Sequence, residues 1–407
     1  MTAAADGSPA RFRKMRVLLL NARLSDRGGA DRWLLGVLAR LQGDVETLLA
    51  VGHVRSTLPD AERRRVGEHI AIKGLDRTGL GRPAGPGTLL RLTEAVERFA
   101  PDVIHANDIS DPGLLEMIAE SGLGVLTVQD HRFFCPGRGK ADSGGAACEQ
   151  PLCADCLDCF EDRAYGRTML ELTRRRLAAA GRMKRLTVLS RYMARQLAAA
   201  GVPEERIVRI PPFVDNLEPP ATQDAGEGKF HLLAGRLSEH KGIEVALDAA
   251  GRLGAGLPLV VAGDGPLAGL VADTAAGGRD GLRFAGWLDR PRLAGMLAGA
   301  RSLWLPSVWA EPFGIVGLEA LAMGVPVIAS RTGGVTDWLV DGHNGLLVEP
   351  GSASELARAA DRLAGDAALA RRLGRAGRQM VERKFDSGEQ LRLLLDVYSG
   401  FTRQTPA

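Results

Sequence analysis

Two glutamates, Glu311 and Glu319, stand in a segment whose residue types suit the binding of a phosphorylated sugar. A buried strand should end at Pro306 and a helix should run from near Gly314 to Gly324, because proline disrupts helix interiors and glycine commonly ends helices. The free N–H groups and the positive dipole end of that helix would attract an anion. Carboxylates accept hydrogen bonds from sugar hydroxyls but repel phosphate. The segment therefore predicts a sugar-nucleotide site.

Small residues and cations support this prediction. Gly314 and Gly317 would let a phosphate or a sugar come close to the backbone. Arg236 and Lys241 follow a strand that should end at Gly235, just before another predicted helix. Fixed cations can stabilise the negative charge that a departing nucleotide diphosphate gains, and arginine can do so through two hydrogen bonds. The alternative is that both cations are surface residues with no role.

Two further predicted strands lead into glycine turns. The first strand of the chain is followed by Gly28 and Gly29 and then by a helix. This layout can hold phosphate on a helix N-terminus, but an ordinary tight turn gives the same pattern. A later strand is followed by Gly263 and Gly265. That turn lacks the third glycine of a dinucleotide fingerprint, which disfavours a nicotinamide oxidoreductase.

The string Glu-Pro-Phe-Gly-x-x-x-x-Glu from Glu311 to Glu319, followed by Ala-x-x-x-Gly-x-Pro-Val and a Gly-Gly pair, resembles the donor-binding signature of retaining glycosyltransferases of family 4. That family implies an α/β fold of the GT-B type, in which two Rossmann-like parallel-sheet domains face each other across a cleft. The implied parts are an acceptor-binding domain at 15–205, a nucleotide-sugar-binding domain at 206–385 and a helix at 386–401 that crosses back to the first domain.

The resemblance also implies roles for the matching residues. Glu311 would contact the hydroxyls of the donor sugar, and Arg236 and Lys241 would bind the departing diphosphate. These three residues form the implied catalytic set, and no catalytic metal is needed. The donor would be a nucleotide sugar of the UDP or GDP type. The implied donor-binding residues are Gly28, Gly29, Gly235, Gly263, Gly265, Trp287, Leu288, Phe313, Gly314, Ile315, Val316 and Glu319.

These features together predict a retaining glycosyltransferase that moves a sugar from a nucleotide-sugar donor to an acceptor hydroxyl. The expected acceptor is a lipid-linked glycan, a polysaccharide precursor or a small molecule. Two alternatives stay open. One is a sugar-nucleotide epimerase or phosphorylase with the same fold, and the other is a non-catalytic protein that binds nucleotide sugars.

Polar residues at the carboxyl edge of the first predicted sheet would lie where an acceptor binds. They are His105, Asn107, Asp108, Asp130 and His131. The resembling family commonly has a His-x-His pattern at the first of these strand ends and a histidine at the second. This chain has asparagine and glutamine at the two corresponding positions. The departing phosphate itself is therefore a candidate base for the acceptor hydroxyl.

All five cysteines of the chain lie in an insertion at 135–159. Such clustering in a chain without a recognisable secretion signal favours a metal site over disulfides. The first choice is a structural zinc ion held by four of the five thiolates, with an iron–sulfur cluster as a weaker choice and free thiols as the alternative. The five residues are Cys135, Cys148, Cys153, Cys156 and Cys159.

Composition limits the partners that the chain can have. The net charge of +3 and the aromatic content of 5% give no support for nucleic-acid binding. No apolar run approaches the roughly 20 residues needed to span a bilayer, so a cytoplasmic protein is expected. The arginine-rich helix at 162–183 is a candidate for peripheral contact with the inner face of the membrane, although a solvated helix face fits equally well. The proline-rich segment at 207–220 and the following 221–228 are predicted to link the two domains.

Overall fold

The computed structural model describes residues 13–25, 28–41, 43, 45–55, 58–76, 83–137, 139–141, 148, 150–214, 228–254, 256–277 and 281–401. Within these ranges the chain forms two sheets in which every pair of neighbouring strands is parallel. This arrangement confirms the predicted α/β fold of two Rossmann-like domains that face each other across a cleft.

The first sheet has the strand order 3-2-1-4-5-6-7. Its strands are β1 Arg16–Leu24, β2 Glu46–Val54, β3 His69–Ala71, β4 Val103–Asp108, β5 Gly124–Val128, β6 Arg185–Val188 and β7 Ile207–Arg209. The helices of this domain are α1 Gly29–Leu41, α2 Asp60–Arg65, α3 Pro86–Phe99, α4 Pro112–Glu120, α5 Arg163–Arg182 and α6 Arg191–Ala199.

The second sheet has the strand order 10-9-8-11-12-13. Its strands are β8 Phe230–Arg236, β9 Leu259–Asp264, β10 Leu282–Gly286, β11 Ala300–Leu305, β12 Val327–Ser330 and β13 Gly345–Val348. The helices that follow these strands are α7 Ile243–Ala250, α8 Ala268–Ala276, α9 Arg290–Ala298, α10 Ile315–Ala322, α11 Ala353–Gly365, α12 Ala367–Lys384 and α13 Ser387–Ser399.

Apolar runs explain why the central strands are buried on both faces. In β1, Leu18 and Leu20 pack into one hydrophobic cluster, whereas Val17 and Leu19 pack into another on the opposite face of the sheet. Helices on both faces of a parallel sheet require such continuous apolar strands. The two clusters thus fix the sheet between two layers of helices.

The order of the strands decides where a ligand can bind. In the first sheet β1 lies between β2 and β4, and in the second sheet β8 lies between β9 and β11. Loops that leave such central strands turn in opposite directions and leave a crevice at the carboxyl edge. The loops after β1, β8 and β11 therefore open onto the space between the domains.

Helix α13 returns to the first domain. Leu394, Val397 and Tyr398 are buried in the cluster that contains Trp33 of α1 and Val17 of β1. The predicted domain boundary after residue 205 falls just before β7, which pairs with β6 in the first sheet. The predicted linker therefore begins inside this sheet, because its first three residues form β7 and the prolines come only after that strand. The part of the linker at 215–227 lies outside the described residues.

Candidate active site

A cleft of about 740 Å³ opens between the facing carboxyl edges of the two sheets. Its wall includes the turn before α1, the turn after β8 and the loop between β11 and α10. Every residue of the implied catalytic and donor-binding sets lies on this wall, from Gly28 to Glu319. The fold therefore brings residues from both halves of the chain to one place.

Glu311 is buried in the loop between β11 and α10, and its carboxylate has donors from three side chains. Lys241 Nζ lies 2.8 Å from Oε1 and 2.7 Å from Oε2. Ser307 Oγ and Trp309 Nε1 donate to Oε2 at 2.8 and 3.1 Å. Burial alone would raise the pKa of Glu311, but Lys241 and the two other donors outweigh it and lower that pKa. The carboxylate is ionised at neutral pH and can accept hydrogen bonds from sugar hydroxyls.

Close backbone contacts explain the glycines at the carboxyl ends of β8 and β9. Gly263 has φ +146°, and a Cβ atom there would lie 1.9 Å from Gly235 O. A Cβ atom on Gly265 would lie 2.4 Å from Leu237 O. Glycine alone fits both positions, so the two turns can touch each other. Arg236 is the last residue of β8 and lies on the cleft wall, and it has no ion pair with any described residue.

Helix α10 begins on the cleft wall. Its N-cap is Gly314, which has φ +86°, and no side chain caps the helix. Gly317 N donates to Gly314 O at 2.9 Å, so the N–H groups of Ile315 and Val316 are the ones available to an anion. A Cβ atom on Gly29 would lie 2.9 Å from Ile315 Cδ1. The N-terminal ends of α1 and α10, both electropositive, therefore meet across the cleft.

Gly317 does not serve the purpose predicted from the sequence. A Cβ atom at this position would lie 2.3 Å from Trp338 Cη2. Trp338 is itself buried and donates its indole N–H to Phe313 O at 2.7 Å. The glycine makes room for the indole that supports the loop before α10, so the prediction that it lets a ligand approach is wrong.

Glu319 lies in the second turn of α10, and its partner comes from the other domain. Arg32 Nη1, in the first turn of α1, lies 2.6 Å from Glu319 Oε1. The sequence does not predict this partner, because the two residues are 287 positions apart. The Gly28-Gly29 pair before Arg32 indicated that this turn lies near the donor site. It did not indicate that Arg32 would bind Glu319.

Two residues predicted to face the acceptor are instead part of the core. His105 is buried, with Nδ1 2.6 Å from Tyr398 Oη and Nε2 2.6 Å from Thr127 Oγ1. Burial lowers the pKa of His105 to about 3, so the ring is neutral and joins α13 to the first sheet. Asn107 is also buried, and it donates to Asn21 Oδ1 at 2.9 Å and accepts from Gln129 Nε2 at 2.6 Å. Neither residue lines the cleft, because both side chains are used inside the sheet.

Asp108 and Asp130 do line the cleft, but one arginine binds both of them. Arg132 Nη2 lies 2.9 Å from Asp108 Oδ1 and 2.6 Å from Asp130 Oδ2. Burial would raise the pKa of Asp130, yet the positive charge and hydrogen bonds of Arg132 lower it. A carboxylate held in this way is a weak base. No sequence pattern indicated that Arg132 would bind both aspartates of this wall.

His131 lies behind the wall and contacts the second domain. Its ring centroid is 4.8 Å from that of Trp309, whose other neighbour is His240 at 4.3 Å. Burial lowers the pKa of His131 to about 4, and the ring is neutral at physiological pH. His131 therefore contacts the second domain through Trp309. No sequence pattern indicated that the Trp309 indole would pack between His131 and His240.

Asp31 is a cleft residue that the sequence patterns did not single out. Its Oδ2 accepts from Ser25 N at 3.0 Å and from Ser25 Oγ at 2.7 Å. Burial raises the pKa of Asp31 to about 6, and the negative charge of Asp108 adds to the shift while the bonds from Ser25 oppose it. The available signal was an acidic residue two positions after the Gly28-Gly29 pair.

Two family models match the chain. Residues 216–380 match the model described as glycosyl transferases group 1, and residues 28–212 match the model described as a glycosyl transferase 4-like domain. The chain belongs to the group 1 glycosyltransferases. The two matches correspond to the two domains, and the first model contains the whole of the Glu311 to Glu319 segment.

Several curated proteins of this family share part of the sequence. The glycogen synthase of Mycobacterium tuberculosis is 37% identical over 160 residues, which are 38% of this chain and 38% of that protein. The lipopolysaccharide core biosynthesis glycosyltransferase LpsE of Rhizobium meliloti is 38% identical over 157 residues, which are 37% of this chain and 44% of that protein. The chain thus matches about two fifths of the length of these relatives.

Solved structures share the fold over nearly the whole chain. HepE of Anabaena in complex with UDP-glucose has a TM-score of 0.74 and 18% identity, and the match covers 95% of this chain and 100% of that one. Sucrose-phosphate synthase of Thermosynechococcus elongatus has a TM-score of 0.71 and 21% identity, and covers 95% of this chain and 99% of that one. These likenesses confirm the two-domain architecture of the family.

The cysteines do not form the predicted metal site. Among the described residues, which include all five cysteines, no group of three or more His, Cys, Asp or Glu side chains is arranged to hold a metal ion. The Cys135 thiol instead accepts a hydrogen bond from Lys140 N at 3.2 Å. Burial raises the pKa of Cys156, and the nearby Cys153 and Cys135 raise it further, which favours the thiol over the thiolate. The zinc and iron–sulfur predictions have no support in this geometry.

The arginines of α5 are largely used within the first domain. Arg175 pairs with Glu116 at 2.9 Å and Arg163 with Asp158 at 2.8 Å. Arg176 is buried and donates to Ser110 O at 2.6 Å. These contacts reduce the charge available to anionic lipid, and the predicted membrane contact stays a prediction. None of the helices in the described part of the chain has the length and apolar character to cross a bilayer.

Proposed function

We propose that this protein transfers a sugar from a nucleotide-sugar donor to an acceptor hydroxyl, with retention of the anomeric configuration and without a catalytic metal ion. The observation that carries the proposal is the meeting, in one cleft, of a buried ionised Glu311, the cations Arg236 and Lys241, and the uncapped N-terminus of α10. Membership of the group 1 glycosyltransferases and the names of the relatives support it.

The charges on the cleft wall favour one orientation for the donor. Its diphosphate would lie at the N-terminal ends of α10 and α1 with Arg236 beside it, since both helix ends are electropositive and Arg236 is a cation without an ion pair to any described residue. The sugar hydroxyls would then bind to Glu311 and the ribose hydroxyls to Glu319. A fixed cation and fixed N–H groups need no rearrangement when the leaving diphosphate gains charge. The structure of HepE with UDP-glucose supports a UDP-type donor, with a GDP-type donor as the other choice.

The donor phosphate is the proposed base of the reaction. The acceptor oxygen would attack the anomeric carbon on the face that the diphosphate leaves. The bond from this carbon to the phosphate oxygen breaks, and the proton of the acceptor hydroxyl moves to the departing phosphate. Arg132 binds both Asp108 and Asp130, so the acceptor side offers these two carboxylates as positioning residues and not as bases.

The acceptor would bind to the first domain. Its wall of the cleft carries Arg23, Arg55, Asp108, Gln129 and Asp130. These polar groups suit a hydroxylated acceptor such as a glycan, a lipid-linked glycan or a small molecule. Contact between the domains through Trp309 and His131 would exclude water, so that the sugar is transferred and not hydrolysed.

Nucleotide binding followed by turnover tests the proposal. The protein is first screened by thermal shift against UDP and GDP, because a ligand at 100 times its dissociation constant adds about 2.7 kcal/mol of stability. The matching nucleotide sugars are then incubated with and without acceptor fractions, and released nucleotide is measured. Release should require acceptor, persist with a chelator, and disappear in Glu311→Ala and Arg236→Ala. Arg64→Ala, which removes an exposed arginine on α2, is the matched control.

Four results would contradict the proposal. Release of nucleotide without acceptor would favour an epimerase or a hydrolase, and binding without any release would favour a nucleotide-sugar sensor. Near-normal transfer by Glu311→Ala would show that Glu311 is not needed for catalysis. Inversion of the anomeric centre, measured by NMR of the product, would exclude attack from the leaving-group face.

A further inference from the structure

We infer that Arg32 is a positioning residue for the ribose of the donor, which it acts on through Glu319. The contact that carries the inference joins the two domains, since Arg32 lies on α1 and Glu319 on α10. Arg32 Nη1 lies 2.6 Å from Glu319 Oε1. The inference rests on the proposed function, because it concerns how the same cleft recognises its donor.

Burial distinguishes this ion pair from an ordinary surface pair. The Glu319 side chain is 9% exposed and that of Arg32 is 25% exposed. Exposed ion pairs contribute little, whereas a hydrogen bond between charged groups at low exposure is strong and directional. The guanidinium thus fixes the carboxylate of Glu319 in one orientation on the cleft wall.

The pair leaves one carboxylate oxygen of Glu319 without a partner among the described residues, and this oxygen can bind a ligand. Among the described residues, Oε2 of Glu319 has no hydrogen-bond partner, and neither does the buried Nε of Arg32. A carboxylate with one oxygen held by arginine can accept from a ribose hydroxyl with the other oxygen. The positive charge of Arg32 also offsets the repulsion between Glu319 and a nearby diphosphate.

The contact exists only when the domains are close together. Gly29 and Ile315, which begin the same two helices, also touch, since a Cβ atom on Gly29 would lie 2.9 Å from Ile315 Cδ1. Opening of the cleft would separate Arg32 from Glu319 and leave the carboxylate without its cation. Ribose binding and domain closure therefore favour each other, as linkage requires when a ligand prefers one of two states.

Nucleotides with and without ribose hydroxyls test this role. Dissociation constants are measured by calorimetry for UDP and 2′,3′-dideoxy-UDP, or for the GDP pair if the unchanged protein prefers GDP. The proteins are the unchanged chain, Arg32→Ala, Arg32→Lys, Glu319→Gln and the double variant Arg32→Ala/Glu319→Gln. Arg64→Ala is the control for loss of one positive charge, and circular dichroism checks that every variant is folded.

Arg32→Ala should weaken UDP binding by about tenfold, the size expected when a charge-assisted hydrogen bond is lost. It should change the binding of 2′,3′-dideoxy-UDP by less than threefold, and Arg32→Lys should recover part of the loss. In the Glu319→Gln background, loss of Arg32 should have little further effect on UDP.

Two results would overturn the inference. Equal weakening of UDP and of the dideoxy nucleotide by Arg32→Ala would mean that Arg32 binds phosphate or only stabilises the closed form. Unchanged UDP binding in Arg32→Ala would mean that Glu319 needs no partner. Failure of the unchanged protein to bind either ribonucleotide is a different result, because it would overturn the proposed function and this inference together.

Discussion

Lys241 Nζ lies within hydrogen-bond distance of both carboxylate oxygens of Glu311, at 2.8 and 2.7 Å. The pair joins the turn after β8 to the loop after β11, and the Lys241 ammonium also lies 5.2 Å from the ring centroid of Trp309. Much of the charge of Lys241 is therefore balanced by Glu311. Arg236, which has no such partner among the described residues, is the freer cation for a diphosphate.

Lys241→Ala should destabilise the protein by about 2 kcal/mol, because it leaves a buried carboxylate without its cation. The double variant Lys241→Ala/Glu311→Gln should recover most of this stability, since the neutral amide needs no counter-charge and keeps an oxygen for Ser307 and Trp309. Urea unfolding at pH 7 measures both free energies. A double variant that is no more stable than Lys241→Ala would show that the pair does not couple the two loops.

Gly263→Ala should destabilise the second domain by about 3 kcal/mol or more, because its φ of +146° is open almost only to glycine and its Cβ would overlap Gly235 O. Gly286→Ala is the matched control. Gly286 also has positive φ, at +64°, but a Cβ there meets nothing within 4 Å. Gly286→Ala should lower the free energy of unfolding by about 1 kcal/mol. Thermal unfolding compares the two, and equal losses would mean that the contact between the turns contributes nothing.

His105→Gln should make the stability of the protein less dependent on pH. The folded pKa of His105 is about 3, well below the unfolded value near 6.5, so only the unfolded chain gains a proton between these limits. Stability is then full above pH 6.5 and falls by about 1.4 kcal/mol per pH unit as the pH drops toward 3. Glutamine can still bond Thr127 and Tyr398 but does not titrate.

Urea unfolding at pH 7.5 and pH 5 measures this difference for the unchanged chain and for His105→Gln. The variant should lose less stability than the unchanged chain between the two pH values, whatever its stability at pH 7.5. Parallel losses would show that the unfolded chain binds no extra proton at this position. His131, whose folded pKa is about 4, contributes to both proteins alike and so cancels in the comparison.

Asp31→Asn should gain stability relative to the unchanged chain as the pH rises. The folded pKa of Asp31 is about 6 and the unfolded value is 3.8, so the unchanged chain is favoured below pH 3.8 and loses this contribution as the pH rises through 6. The difference between the proteins should grow by about 1.4 kcal/mol per pH unit within that window. Urea unfolding at pH 4.5, 6 and 8 measures this difference in unfolding free energy between Asp31→Asn and the unchanged chain.

The same variant examines the base of the reaction. If the departing phosphate takes the acceptor proton, Asp31→Asn should keep kcat within about tenfold of the unchanged enzyme, whereas loss of a general base costs about 100-fold or more. The pH profile of kcat should also keep its shape. If Asp31→Asn instead loses most of the activity, and its pH profile of kcat no longer falls below pH 6, Asp31 is the base.

Local patterns in the sequence were sufficient for the architecture and for the donor side of the cleft. Helix α10 was predicted between Gly314 and Gly324 and runs from Ile315 to Ala322, because proline, glycine and apolar spacing act over a few residues. Glu311, Arg236 and Lys241 were predicted to lie together, and they do. Each lies at or after the carboxyl end of a parallel strand, and parallel strands place their carboxyl ends at one edge.

The acceptor side was predicted less well. The pattern placed His105 at a strand end, but whether a side chain there faces the cleft or the core depends on what packs above it. Tyr398 of the last helix takes one nitrogen of this ring, and Thr127 takes the other. Likewise the cysteine spacing suggested a metal site, although spacing alone cannot tell whether thiols converge.

The sequence by itself determined the two parallel sheets, the glycine turns and the residue types of the donor site, since these follow from short-range sterics and hydrophobic periodicity. Only the tertiary structure decided the partners: Arg32 for Glu319, Arg132 for two aspartates, and Trp309 between two histidines. Such pairs join distant elements, and nothing within a local segment encodes the distance between side chains that meet only after both domains have folded and closed.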